Sequence, residues 1–326
     1  MVKYEITIKK QRTKIIFTEV VMARADKKNA GMMNLIKRMH GVVENADIGK
    51  HRQSQDYFGA ILGNSKDVIV EDVEISTIGE DGRKIHGEWI YVNRAHMKKY
   101  IILYCHGGGY STGSSLYART LTTKLAASTS MDVLSFDYRL APENPYPAAV
   151  LDAMQVWDYL MLLGYGARDI VIAGDSAGGN LALALCLQLK SQGRLMPRGL
   201  VLMSPWTDLT ASGKSHITKA AVDPVLNADY LAQMIENYAA GQELGNPLIS
   251  PLFGDYKGFP PTYIQVGSNE ILQDDAVMLY KKFLKDDVCV KMEVFRGMWH
   301  VFQMSPFKTA YEAMDKNAEF IYDICR

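Results

Sequence analysis

Charge imbalance, paired cysteines and long apolar runs are all missing from this sequence. Lysine plus arginine and aspartate plus glutamate each total 36 in 326 residues. There is thus no basic excess of the kind that nucleic acid or an anionic membrane surface selects, and neither is expected as a partner. Cysteine is scarce: Cys105, Cys186, Cys289 and Cys325 lie far apart, without C-x-x-C or Cys/His ligand spacing. That spacing argues against a disulfide framework and against a metal site, and three of the four sit in apolar runs that read as buried, reduced thiols. No stretch reaches about 18 uninterrupted apolar residues, so no membrane insertion is expected. The start, Met1-Val2-Lys3-Tyr4-Glu5-Ile6, alternates charged and apolar residues without a signal-peptide core, and the expected location is the cytoplasm. Internal repeats and low-complexity tracts are also absent.

The chain is long enough to bury a large core as a single α/β domain with an added cap. Residues 1 to about 65 carry helical patterning, with Met32, Met33, Leu35, Ile36 and Met39 at helical spacing and Tyr57, Phe58, Ile61 and Leu62 repeating it before Gly63-Asn64. This segment reads as a helical cap docked on the body, and residues 66–326 as the main domain. From Val68 the pattern becomes β. Val68–Ile75 and Lys84–Val92 alternate as a half-exposed antiparallel pair around Gly79-Glu80-Asp81-Gly82. Short, nearly unbroken apolar runs follow at Tyr100–Cys105, Met131–Phe136, Asp169–Ala173, Gly199–Met203, Thr262–Val266 and Val288–Val294, mostly separated by helical stretches. Alternating α and β with apolar strands predicts a mainly parallel, twisted sheet of about eight strands covered on both faces. An excursion after Met203, with helical character around Asp229–Tyr238, predicts a cap or lid insertion at about 205–245.

Gly174-Asp175-Ser176-Ala177-Gly178 stands between an apolar strand and the helical run beginning at Asn180. A bare G-x-S-x-G also fits a Gly-rich turn with a capping serine, but strand-turn-helix is the context of a nucleophile elbow, in which glycines flank a strained, exposed serine. At the end of another strand lies His106-Gly107-Gly108-Gly109-Tyr110. Three consecutive glycines pack no side chain. They permit close backbone approach to a ligand, and they match the loop that completes the oxyanion hole of many lipases and esterases. The candidate donors are the N–H groups of Gly108, Gly109 and Ala177. Among seven histidines, His300 follows the last strand and obeys the chain order serine, acid, base. His106 reads as a prop of the glycine loop and His216 as solvated. After the penultimate strand, Glu270 is the carboxylate nearest the strand end, and Asp274 and Asp275 read as acids at a helix start. Asp175 reads as orienting backbone at the elbow, and Asp137–Glu143 as a rigid, charge-paired connection. Tyr110, Trp206 and Trp299 adjoin these motifs and are candidate substrate-contacting aromatics.

Together, His106-Gly107-Gly108-Gly109, Asp137-Tyr138-Arg139-Leu140-Ala141-Pro142-Glu143, Gly174-Asp175-Ser176-Ala177-Gly178-Gly179 and His300 resemble the hormone-sensitive-lipase family of α/β-hydrolases, in its bacterial esterase branch, from about residue 65 to the end. The resemblance implies an α/β-hydrolase fold with a helical cap and hydrolysis of short- to medium-chain carboxylic esters through an acyl-enzyme, with no cofactor and no metal. It implies Ser176 as nucleophile, His300 as base, the three oxyanion donors above, and a homodimer formed through the last strand. The family's usual acid is an aspartate in D-x-L-x-D; here Glu270 holds that position in Glu270-Ile271-Leu272-Gln273-Asp274. Two other readings use the same residues: an amidase or carbamate hydrolase with the same triad, and a non-catalytic small-molecule receptor on a hydrolase scaffold.

Overall fold

A computed structural model describes residues 48–62, 67–77, 79 and 82–326. The methionine-rich stretch and the rest of residues 1–47 lie outside the described residues. Eight strands form one sheet: β1 (Val68–Ser76), β2 (Lys84–Val92), β3 (Met97–Cys105), β4 (Met131–Phe136), β5 (Ile170–Asp175), β6 (Gly199–Met203), β7 (Thr262–Gly267) and β8 (Val290–Phe295), in the order β1-β2-β4-β3-β5-β6-β7-β8. β1–β2 and β2–β4 pair antiparallel, and every pairing from β4 through β3 to β8 is parallel.

Strand periodicity divides the core. Ile101, Leu103, Ile170 and Ile172 point to one face, where helices α3 (Ala148–Leu162), α4 (Ala177–Ser191) and α7 (Gln273–Lys285) cover them. Their neighbours Ile102, Tyr104, Val171 and Ala173 point to the other, beneath α2 (Ser115–Thr129) and α8 (Lys308–Cys325). With both faces covered, strands β4 to β7 are buried at every residue, which is why they read as unbroken apolar runs. Among the described residues no helix is long and apolar enough to cross a membrane.

Two helical pieces lie over the carboxyl ends of the strands. Helix α1 (Ile48–Leu62) is fastened by Arg52, whose guanidinium donates to the carbonyls of Ser111 (2.8 Å) and Ala141 (2.9 Å) and to Glu143. The excursion between β6 and β7 contains the short α5 (Ser215–Thr218) and α6 (Ala228–Ala239), the latter capped by the Asn227 side chain accepting from Tyr230 N–H at 2.8 Å. The cysteine reading holds for Cys105 and Cys186, which are buried, but Cys289 is exposed and Cys325 half-buried. The reason is position: Cys289 precedes the edge strand β8, and Cys325 ends the last helix.

Candidate active site

β5 ends in a forced turn. Ser176 has φ 52° and ψ −120°, between the last strand residue and the first residue of α4. The flanking glycines are required by contact: a Cβ on Gly178 would lie 2.0 Å from the Cys105 carbonyl oxygen, and one on Gly174 would lie 2.4 Å from that of Gly178. The start of α4 therefore presses on the end of β3, where the glycine loop begins.

Three chain regions meet at Ser176. Its hydroxyl donates to His300 Nε2 at 2.9 Å, and His300 Nδ1–H donates to Glu270 Oε2 at 2.8 Å. A carboxylate only accepts, so Glu270 fixes the proton on Nδ1 and leaves Nε2 as an acceptor facing the serine. Glu270 is fully buried, and its Oε1 accepts from Gly267 N–H and Ser204 O–H. Asp274 and Asp275 go elsewhere. Asp274 accepts from Ser215 N–H (3.0 Å), while Asp275 accepts from the N–H groups of Thr207 and Asp208 (both 2.9 Å) and pairs with His216 Nε2 (3.0 Å). His216 is thus held in a part-buried contact with Asp275 rather than solvated, because the excursion folds back onto the start of α7.

The glycine loop is held on its protein side. Gly108 and Gly109 have φ 110° and 61°, and the Gly108 carbonyl accepts from Ser111 N–H and Thr112 N–H. Among the described residues no hydrogen bond engages the N–H of Gly108, Gly109 or Ala177. Ala177 is the first residue of α4, where helix geometry leaves N–H groups without intrahelical partners. His106 stacks on Tyr138 (ring centroids 4.0 Å apart, 9° between planes), and its Nδ1–H donates to the Gly107 carbonyl.

Asp175 ties this loop to the elbow, accepting from Gly107 N–H (3.0 Å) and Tyr104 O–H (2.7 Å). Burial pushes its carboxyl up to about 6, against the pull of the Tyr104 hydrogen bond. In the Asp137–Glu143 stretch the acids are paired: Asp137 with Ser115 N–H and His86, and Glu143 with Arg52.

The three aromatics are buried. Tyr110 stacks flat on Tyr238 of α6 at 3.6 Å, and its hydroxyl donates to Asn180. Asn180 in turn donates to the Trp206 carbonyl, and the Trp206 indole packs in the same core. Trp299 belongs to a separate apolar cluster with Phe295, Met298 and Phe302. These contacts set Tyr110 and Trp206 in one packed core and Trp299 in another.

Residues 102–304 match a family model described as alpha/beta hydrolase fold. A solved structure described as an esterase from the bacterial hormone-sensitive lipase family is similar to this chain over 91% of its length and 98% of that structure, at a TM-score of 0.84 and 31% identity. The chain belongs to the hormone-sensitive-lipase family of α/β-hydrolases. It is 44% identical to an esterase of Acinetobacter venetianus over 68% of this chain and 74% of that one. It is 37% identical to an acetyl-hydrolase of Streptomyces hygroscopicus over 79% of this chain and 83% of that one. Membership makes this chain a carboxylic ester hydrolase.

Two groups of this hydrolase escaped the sequence reading. Asp223 is buried in the excursion; its carboxylate accepts from Val225 N–H and Leu226 N–H on one oxygen and from Ile271 N–H (2.8 Å), beside Glu270, on the other. The pair Asp223-Pro224 is a turn signal, but nothing local says that its second oxygen reaches a residue 48 positions away. Ser204 is the other, one residue past β6 and ahead of Pro205. Burial alone would lower the His300 pKa, but the Glu270 hydrogen bond and charge, with the charges of Asp223 and Asp175, raise it above the ordinary histidine value.

Proposed function

We propose that this hydrolase is a serine carboxylesterase that cleaves short- to medium-chain carboxylic esters through an acyl-enzyme. The observation that carries the reading is the continuous hydrogen-bonded chain from Ser176 through His300 to buried Glu270. Ser176 Oγ attacks the ester carbonyl as His300 Nε2 takes its proton, and Glu270 stabilises the imidazolium that forms. Negative charge then develops on the former carbonyl oxygen, and the N–H groups of Gly108, Gly109 and Ala177 receive it. Collapse expels the alcohol, which leaves with the proton from His300. Water, activated by the neutral imidazole, attacks the acyl-serine and releases the acid. Every step uses only groups of the chain and water.

The pH profile follows from the charges around the base. Activity needs His300 neutral, and its pKa is raised, so kcat/KM climbs with pH through an apparent pKa above the ordinary value of about 6.5. A profile already flat by pH 6, measured with a substrate that does not titrate, contradicts this assignment.

Chain-length preference follows from the cover over the site. Ser176 and His300 are only 8% and 6% exposed, and Met234 of α6 packs on Gly109. The similarity to an acetyl-hydrolase points the same way. Each methylene that fits gains about 0.8 kcal/mol, and each that does not stays in water or pushes on α6. p-Nitrophenyl butyrate is expected to be hydrolysed at least tenfold faster than the palmitate, which corresponds to about 1.4 kcal/mol of strain from the part of the long chain that does not fit, without a jump above the solubility limit. Equal rates, or a jump at the lipid–water interface, would identify a true lipase instead.

A further inference from the structure

We infer that Ser204 is a positioning residue that holds the acid and the base of this site in one frame; the inference rests on the triad reading above. Its hydroxyl is fully buried and used in both directions. The O–H donates to Glu270 Oε1 at 2.9 Å, and the oxygen accepts from Val301 N–H, the residue after His300, at 3.2 Å. With the His300–Glu270 hydrogen bond this closes a ring: Ser204 Oγ to Glu270 Oε1, Glu270 Oε2 to His300 Nδ1, His300 to Val301 along the backbone, and Val301 N–H back to Ser204 Oγ. The carboxylate is thereby gripped on both oxygens, and the base is held through its backbone as well as its ring.

Both ends of this contact are held in strained backbone conformations. Ser204 has φ 49° and Val301 has φ 48°. The left-handed region is unfavourable for any residue with a Cβ and most of all for a β-branched one. Two strained residues, 97 positions apart in the chain, face each other through one hydroxyl. Ser204 N–H is also tied, donating to the Gln265 carbonyl of β7 at 2.7 Å, so the hydroxyl projects from a fixed base between the β6 and β7 ends. A glycine would relieve the strain at Ser204, but it could not bridge the two loops.

The test is a double-mutant cycle on the full-length protein with p-nitrophenyl butyrate. Ser204→Gly removes the hydroxyl and also the backbone strain, so thermal stability is expected to hold while kcat falls about 10- to 100-fold with KM within about twofold. That factor matches the loss of a hydrogen bond to a charged acceptor. Ser204→Ala, which keeps the strain, is expected to lose the same activity with a lower melting temperature. In a Glu270→Gln background, Ser204→Gly is expected to cost less than about threefold, since the charge it positions is gone. An equal loss in both backgrounds, or unchanged kcat in the single variant, overturns the inference while leaving the triad intact. A Glu270→Gln substitution that leaves kcat unchanged overturns both.

Discussion

Glu270→Gln is expected to lower kcat by roughly 10³–10⁴-fold, the scale of loss for an amide at a triad acid. The structure gives a specific reason. Oε1 of Glu270 accepts two donors, Gly267 N–H and Ser204 O–H. A glutamine here must turn its amide oxygen to those donors, which leaves its NH₂ facing His300 Nδ1. Two donors cannot share that contact, so Nδ1 becomes the acceptor and the proton moves to Nε2, where it blocks proton transfer from Ser176. The variant keeps its shape and loses the tautomer. Asp274→Asn is the control: Asp274 accepts from Ser215 N–H, which an amide oxygen also does, and a helix-terminus charge contributes less than about 1 kcal/mol, so the loss should stay below about tenfold. Steady-state kinetics of both folded variants decide, and the reverse order would move the acid to Asp274.

Ser176→Gly is expected to reduce kcat by about 10⁶-fold, the loss seen when a serine hydrolase loses its nucleophile. It should also be more stable than Ser176→Ala. Glycine usually destabilises a chain by roughly 0.5–1 kcal/mol relative to alanine. Here the sign reverses, because φ 52° with ψ −120° costs a residue bearing a Cβ on the order of 1–3 kcal/mol. Both variants lose the hydroxyl and its hydrogen bond to His300, so their difference isolates the backbone. Urea unfolding of the pair gives that difference directly, and an alanine variant more stable than the glycine one would mean that the elbow is not strained.

What the sequence makes legible is what is local. Unbroken apolar runs mark β4 to β7 because both sheet faces are covered, and the glycine pairs mark the elbow because strand and helix touch there. Chain order singles out His300 among seven histidines, and nearness to the strand end singles out Glu270 among the three carboxylates of its loop. What it leaves hidden is set by partners far away in the chain. Ser204 finds Glu270 across 66 residues, and His216 finds Asp275 across 59. A serine before a proline and a histidine among serines look like ordinary loop residues until the sheet brings their partners together. Tyr110 shows the same limit: its place beside the glycine loop is legible, but its stacking on a tyrosine from α6, 128 residues later, is not.

The central claim is that Ser176 is a nucleophile activated by His300, and covalent capture tests it most directly. An organophosphate probe should label the folded protein with one equivalent, lose p-nitrophenyl butyrate activity in step with labelling, and leave the adduct mass on the peptide carrying Ser176, with no adduct on Ser176→Gly. A folded protein that takes up no probe, or one labelled equally after Ser176→Gly, would contradict the account.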